Sequence, residues 1–438
     1  MKRSDAVFAR RSTGVLLFFA FVLLWAVFTK VDTHSWQEES RMATIQTLVE
    51  QDTFIIDHTE FNRTGDKVFV NGHFYSDKTP ILSVAAAGVY SILHNLFGLS
   101  LDPTICVPDQ DPAACRAFGP GGTRFTAFYW LTLIFIGGSS ALLVALFWKA
   151  LIDWGAGGTL ATALAIALGL ASPIAPYSIV FAGHVPAAAS LFGGFLLLTR
   201  QSPVLRNRYY FWAGLLISLS ANIDLTLAVF IVAFAVWLLL AHRSMLLLFL
   251  VGALVPFAVS GAINCWAAGT VMPLYFDPKA YDFFGTVLNP TVGGTNGFYS
   301  LDFGLQYAYG MLVGRRGLFA FTPMLIYAVV GIVIVVRERS NRLRGLALAT
   351  ALGGLIFTAY LILRTDNFGG MAWGTRWFVP LIPVLWYFSY RAYGAVSGTY
   401  YPSRIWRIVF WVIVILSFLT AALGLQDAWR DVPPIIRL

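Results

Sequence analysis

VDTHSWQEESRMATIQTLVEQDTFIIDHTEFNRTGDKVFVNGHFYSDKTP, residues 31–80, is a polar stretch in a 438-residue chain that is 58% hydrophobic and 12% charged. Working outward from it, eleven apolar segments approach membrane-spanning length, near residues 14–28, 125–148, 156–174, 184–199, 209–224, 226–240, 245–265, 318–336, 345–363, 377–391 and 408–425. Hydrocarbon offers irregular backbone nothing to hydrogen-bond, so the polar stretch belongs in water or at the membrane surface. The composition excludes a disordered chain and an ordinary soluble domain. The expected fold is an all-α polytopic membrane protein of about 11 transmembrane helices, with residues 1–438 forming a single integral membrane domain.

Charge sets the expected orientation. Lys2, Arg3, Arg10 and Arg11 precede the first segment, and no small-residue cleavage site follows it, so the N-terminus is expected in the cytoplasm behind a retained anchor. Threading the eleven segments from there puts 16 basic and 3 acidic residues inside, against 14 basic and 19 acidic outside. That asymmetry obeys the positive-inside rule and puts the C-terminus outside. It also accounts for the basic pI without nucleic acid, because the positive charge is spread over short internal turns. The longer outer loops that result are at 31–124, 266–317 and 364–377. Counting residues 81–98 as a further span would turn the basic runs at 206–208 and 337–344 outward, so that segment is expected to be a helix lying along the outer leaflet.

In the first loop, Met42, Ile45, Leu48 and Val49 recur at helical spacing, which predicts a short amphipathic helix lying flat on the membrane. Ser35 and Glu38 match an S-x-x-E capping box. Glu38 also shares a face with Met42, Ile45 and Val49, with Arg41 at its flank, and a carboxylate and guanidinium on an apolar face call for partners. Both readings of Glu38 stand at this point. Asn71-Gly72, between VFV and HFY, predicts a two-residue hairpin with a primed turn. The hairpin leads into Ser76, Asp77 and Lys78, then to a helix in which Thr79 is the expected cap and Pro80 the first residue. Free N–H groups and Lys78 would then converge at the membrane surface, as a seat for a lipid phosphate or as an ordinary capped helix with a solvated ion pair.

Elsewhere the outer loops are rich in aromatics and glycine, with Arg315 and Arg316 at the lip of one segment and Asp366, Trp373 and Arg376 near another. Cys106 and Cys115 share a turn-rich outer loop and are expected to form a disulfide, whereas Cys265 is expected to be a small packing residue. Asn222 and Asp224 are expected either in a helix contact or close to an outer boundary. No Cys/His cluster for zinc and no nucleotide-binding fingerprint is present, so no cofactor is called for beyond an open question of a divalent metal.

The order of elements resembles the GT-C superfamily of membrane glycosyltransferases, which includes protein O-mannosyltransferases and lipid A aminoarabinose transferases. EESRMATIQTLVEQDTFIID looks like that family's acidic juxtamembrane motif, with Glu38 and Glu39 at the acidic positions and Arg41 at the basic one; SDKTP looks like its lysine-proline segment. Glu38 stands where the family usually has Asp, and Ile81 where it has a second proline. The resemblance implies a GT-C-like fold in the inner membrane of a bacterium. It also implies inverting transfer of a sugar from a polyprenyl-phosphate donor to a lipid, glycan or protein acceptor at the outer face. Glu38 or Glu39 would be the base, with Arg41 orienting it. Lys78, Arg315, Arg316 and Arg376 would bind the donor phosphate, and Asp77, His73, Tyr75, Asp366 and Trp373 would contact the substrate. The competing readings are a lipid or small-molecule transporter and a catalytically silent scaffold. A transporter predicts charges deep in several segments and internal repeats, neither of which is evident.

Overall fold

A computed structural model of the protein describes residues 3–101, 127–200, 206–286, 301–365, 368–397 and 404–429. In chain order the helices and strands are α1 (Arg3–Phe28), α2 (Trp36–Glu50), β1 (Lys67–Val70), β2 (His73–Ser76), α3 (Pro80–Phe97), α4 (Ala127–Thr132), α5 (Gly138–Trp154), α6 (Gly158–Leu170), α7 (Ile174–Tyr177), α8 (His184–Thr199), α9 (Arg206–Ile223), α10 (Ala228–Ala241), α11 (Arg243–Ala268), α12 (Leu301–Leu312), α13 (Leu318–Phe321), α14 (Leu325–Arg337), α15 (Arg344–Arg364), α16 (Ile382–Tyr387), α17 (Ser389–Ser397) and α18 (Arg404–Gly424). By length and composition, five helical stretches among the described residues suffice to cross a membrane: α3, Ala127–Trp154, α11, α15 and α18. Five shorter apolar helices accompany them.

Two expected spans are interrupted, and proline is the reason in each. The segment at 318–336 is α13 and α14 separated at Thr322–Met324, where Pro323 lacks the amide proton a continuing helix needs. The segment at 377–391 begins as a 3-10 turn over Arg376–Leu381 containing Pro380, then becomes α16 with Pro383 in its first turn, then α17. The expected span at 125–148 is continuous but changes winding: a π-helical turn, Leu133–Gly137, joins α4 to α5. There Gly137 lies against the Trp25 side chain, and Trp25 Nε1 donates to Ser140 Oγ at 3.1 Å. Helix α12, between α11 and α13, is an addition to the expected elements. Cys265 is exposed on α11 rather than packed, and Cys106 and Cys115 lie outside the described residues.

Close helix packing depends on glycine where α9 meets α11. Gly214 of α9 faces the backbone of α11 at Phe249 and Ala253, and Gly252 of α11 faces the backbone of α9 at Phe211 and Leu215. The absence of side chains on both lets the two helices touch main chain to main chain, as small residues commonly allow in membrane proteins. Ser218 Oγ donates to Ala253 O at 2.5 Å across the same seam.

The polar insert folds over one end of this helical body. The hairpin forms in the expected register, with Val70 opposite His73 and positive φ at Asn71 (52°) and Gly72 (87°), as a primed turn requires. Helix α3 starts at Pro80 and ends at Gly98 in the left-handed conformation (φ 66°), and it buries Leu82, Ala86 and Tyr90. Helix α2 departs from expectation. It is no surface helix with one apolar face: Gln37, Glu38 and every residue from Ser40 to Thr47 are buried. The hairpin and α3 cover it on the outside, and the turn at residues 178–184 meets its first turn, so polar residues on all sides of α2 are enclosed by protein.

Candidate functional site

A cleft of about 260 Å³ opens where α2, the hairpin end, α3, α8 and the α9–α10 turn meet. Arg41 reaches it from α2, and Asp77, Lys78 and Thr79 reach it from the link between β2 and α3. His184 opens α8 beside Gly183, Asp224 and Thr226 follow α9, Tyr275 and Tyr281 come from the segment after α11, and Arg376 and Trp377 come from the 3-10 turn after residue 375. The broken segment at 377–391 thus does something an unbroken span would not: its irregular start delivers Arg376 and Trp377 to the site.

The cations are held differently from one another. Arg41 is 2% exposed, and its Nη1 lies 3.4 Å from Thr79 O. Burial pulls its pKa down to about 10, against the attraction of Asp77, Asp224 and Asp66, so it stays charged at neutral pH. Gly183 leaves room for it, since a Cβ there would sit 2.7 Å from Ile223 Cγ2 and 3.3 Å from Arg41 Nη2. Lys78 Nζ bridges Asp66 (2.7 Å) and Asp77 (2.9 Å). Burial works against its charge, but the two carboxylates hold its pKa above the ordinary lysine value. Burial and the neighbouring Asp66 raise Asp77 despite Lys78. Arg376 donates from Nη1 to Gln37 Oε1 at 2.9 Å, and its guanidinium lies 5.3 Å from the Trp429 ring centroid.

Five buried polar atoms around this one cleft have no hydrogen-bond partner: Arg41 Nε, Thr79 Oγ1, His184 Nε2, Tyr275 OH and Arg376 Nε. Buried polar groups are ordinarily paired, so orphans converging on a cavity mark a place built for a polar ligand. Thr79 illustrates this. It occupies the expected N-cap position of α3, but its hydroxyl makes no capping bond and lines the cleft instead.

Other expected site residues are placed elsewhere. Glu38 is 0% exposed and does not line the cleft; its Oε2 accepts from His34 N (2.8 Å) and Ser35 Oγ (3.2 Å), and its Oε1 from Phe181 N (3.0 Å). Ser35 Oγ in turn accepts from Glu38 N, the cap half of the expected capping box, but the carboxylate returns to His34 N and not to the Ser35 amide, and its other oxygen ties α2 to the turn before α8. Glu39 is partly exposed outside the cleft, and burial with Asp66 nearby raises its pKa. His73 pairs with Asp57 at 2.8 Å on the exposed hairpin. Tyr75 lines a smaller adjoining cavity with Asn264 and Tyr275. Trp373 is 2% exposed against Phe321 and donates from Nε1 to Thr420 O, a packing role. Arg316 donates to Gly370 O and lies near the Phe368 ring, bracing the loop that precedes Arg376, while Arg315 is exposed outside the cleft. Asp366 lies outside the described residues. His184, Tyr275, Tyr281 and Trp377 were not singled out from the sequence. The available signal was position: His184 and Asp224 both fall at ends of adjacent apolar segments, where an ionisable residue has a functional reading by default.

Burial lifts the Glu38 carboxyl to about 7, against the pull of the His34 and Phe181 amides. A carboxyl raised by folding is protonated in the native protein while the unfolded chain has already ionised. Its contribution is therefore intact below about pH 4.5 and lost as pH rises towards 7. At 1.36 kcal/mol per unit, that loss is on the order of 3 kcal/mol. Thermal unfolding in detergent is expected to show wild type losing stability between pH 5 and 7, and Glu38→Gln lacking that slope; an identical slope in both refutes the assignment.

The helical body, its broken segments and the folded polar insert define a polytopic helical membrane protein. The crystal structure of ArnT from Cupriavidus metallidurans bound to undecaprenyl phosphate is similar over 98% of this chain and 77% of that one, with a TM-score of 0.50 and 13% identity. At that identity the likeness is one of fold. No family model and no curated protein matches the chain.

Proposed function

We propose that the protein is a membrane glycosyltransferase that moves a sugar from a polyprenyl-phosphate-linked donor to an acceptor hydroxyl at the outer face, with inversion at the sugar carbon. The observation that carries this reading is the cleft itself: three cations and five residues with an unpartnered buried polar atom line one volume beside the polar insert. That the similar ArnT structure holds undecaprenyl phosphate supports a lipid phosphate as the group these cations receive. Arg41, Lys78 and Arg376 bind the phosphate and stabilise the charge that grows on it as the glycosidic bond breaks. Tyr275, Tyr281 and Trp377 supply the aromatic walls that sugar binding uses.

Glu38 fastens α2 to the turn before α8 and so fixes where Arg41 points. The orientation follows the charge distribution: inner membrane, N-terminus in the cytoplasm, the loops at 31–124, 266–317 and 364–377 outside, and α3 along the outer leaflet. A flippase or a silent scaffold would bind the lipid without cleaving it. The test is purified protein incubated with labelled polyprenyl-phosphate sugars and a cell-envelope acceptor extract. Transfer of label with release of polyprenyl phosphate is expected; binding of the lipid with no cleavage of any donor overturns the reading.

A further inference from the structure

Sugar transfer in this cleft needs a group to take the proton of the attacking hydroxyl, and neither Glu38 nor Glu39 reaches the cleft lining. His184 does. Its Nδ1 lies 3.2 Å from Asp224 Oδ2, while Asp224 Oδ1 accepts from Thr226 Oγ1 at 2.7 Å. An ionised carboxylate only accepts, so the neutral imidazole paired with it carries its hydrogen on Nδ1 and its lone pair on Nε2. That Nε2 is buried, has no partner, and belongs to a residue of the cleft wall. Thr226 keeps Asp224 turned towards the ring, and the Tyr177 ring stands edge-on at 5.7 Å, restricting rotation of the imidazole. The arrangement is the base-and-orienter pair known from other acyl- and group-transfer sites.

We propose that His184 is the proton acceptor for the incoming hydroxyl and that Asp224 is its positioning residue. This rests on the glycosyltransferase reading above. In the step, the acceptor oxygen forms a bond to the anomeric carbon and its proton passes to His184 Nε2. The bond from that carbon to the phosphate oxygen breaks, and the electron pair leaves with the lipid phosphate, facing Arg41, Lys78 and Arg376. The imidazolium then returns its proton to water. The charged groups facing the imidazole are Asp224 from the α9–α10 turn, Arg41 from α2 and Arg376 from the 3-10 turn, with Asp77 and Lys78 across the cleft.

The test uses full-length protein in detergent, labelled polyprenyl-phosphate sugar for transfer, and undecaprenyl phosphate alone for binding. His184→Gln is expected to lose transfer by about 10²–10⁴-fold, the usual contribution of a positioned base, with binding of undecaprenyl phosphate within about twofold of wild type. In His184→Ala, added imidazole is expected to restore part of the lost transfer, a rescue that a merely structural role would not give. Asp224→Asn is expected to lower transfer and shift the acid limb of its pH profile. Wild-type transfer with full activity in His184→Gln overturns this inference and leaves the glycosyltransferase reading standing. Equal loss of binding and transfer without imidazole rescue also overturns it. No transfer by the wild type removes both.

Discussion

Arg376→Gln is expected to lower kcat/KM for a polyprenyl-phosphate sugar by about 10²–10³-fold, the range found when one preorganised donor to a developing oxyanion is removed. Arg376 is the cation best suited to that test. Arg41 lines the cleft but is only 2% exposed, and Lys78 is bound by two carboxylates, so removing either charge would destabilise the protein as well. Arg376 instead lines the cleft with its Nε unpartnered and only Nη1 anchored, on Gln37. The contacts to Gln37 and Trp429 are worth about 1–2 kcal/mol together, so the variant is expected to melt close to wild type. Arg376→Lys should recover charge but not the two-pronged geometry, and so fall between the two. Transfer kinetics alongside binding of undecaprenyl phosphate decide the matter: Arg376→Gln with wild-type values in both assays would falsify the placement of the phosphate.

The second large effect concerns assembly rather than chemistry. A methyl group on Gly214 would overlap the carbonyl oxygen of Phe249 and approach Ala253 N to 3.0 Å; one on Gly252 would overlap the carbonyl oxygen of Phe211. Backbone cannot rotate away as a flexible side chain can, so α9 and α11 must separate along their length. The cost is expected at the upper end of overpacking, about 3 kcal/mol or more for each single alanine variant. Gly354→Ala, on a helix where the added methyl meets nothing within 4 Å, is the matched control and is expected to fold normally. Thermal unfolding and size-exclusion profiles in detergent test this. Melting temperatures for Gly214→Ala and Gly252→Ala equal to the control would show that the seam is slacker than its geometry indicates.

What could be read from the sequence was whatever depends on local pattern. Asn71-Gly72 fixes a hairpin because only residues tolerant of positive φ make a primed turn, and Pro80 after Thr79 begins a helix wherever it lies. Arg41, Asp77, Lys78 and Arg376 were legible because charged residues in a chain this apolar are few. Contacts between distant segments were not. The pairing of His184 with Asp224 joins residues 40 positions apart, and the apolar context of FAGHVPAA reads equally well as a buried helix start. The enclosure of α2 was hidden for the same reason: a helix covered on several sides needs no amphipathic pattern. Glu38 carried two readings that one sequence motif supports equally, and the amides of His34 and Phe181 that hold its carboxylate appear only in the fold. Pro323, Pro380 and Pro383 did signal breaks, but hydropathy averaged over a window conceals them.

The three-membered bridge of Asp66, Lys78 and Asp77 bears on turnover. A lysine already neutralised by two carboxylates is a modest magnet for phosphate, since an arriving anion must compete with partners that never diffuse away. If the cleft takes a lipid phosphate as proposed, the same competition acts in reverse once the sugar has gone. Asp66 and Asp77 reclaim the ammonium as the spent lipid retreats, so the site resets itself and product leaves rather than lingering.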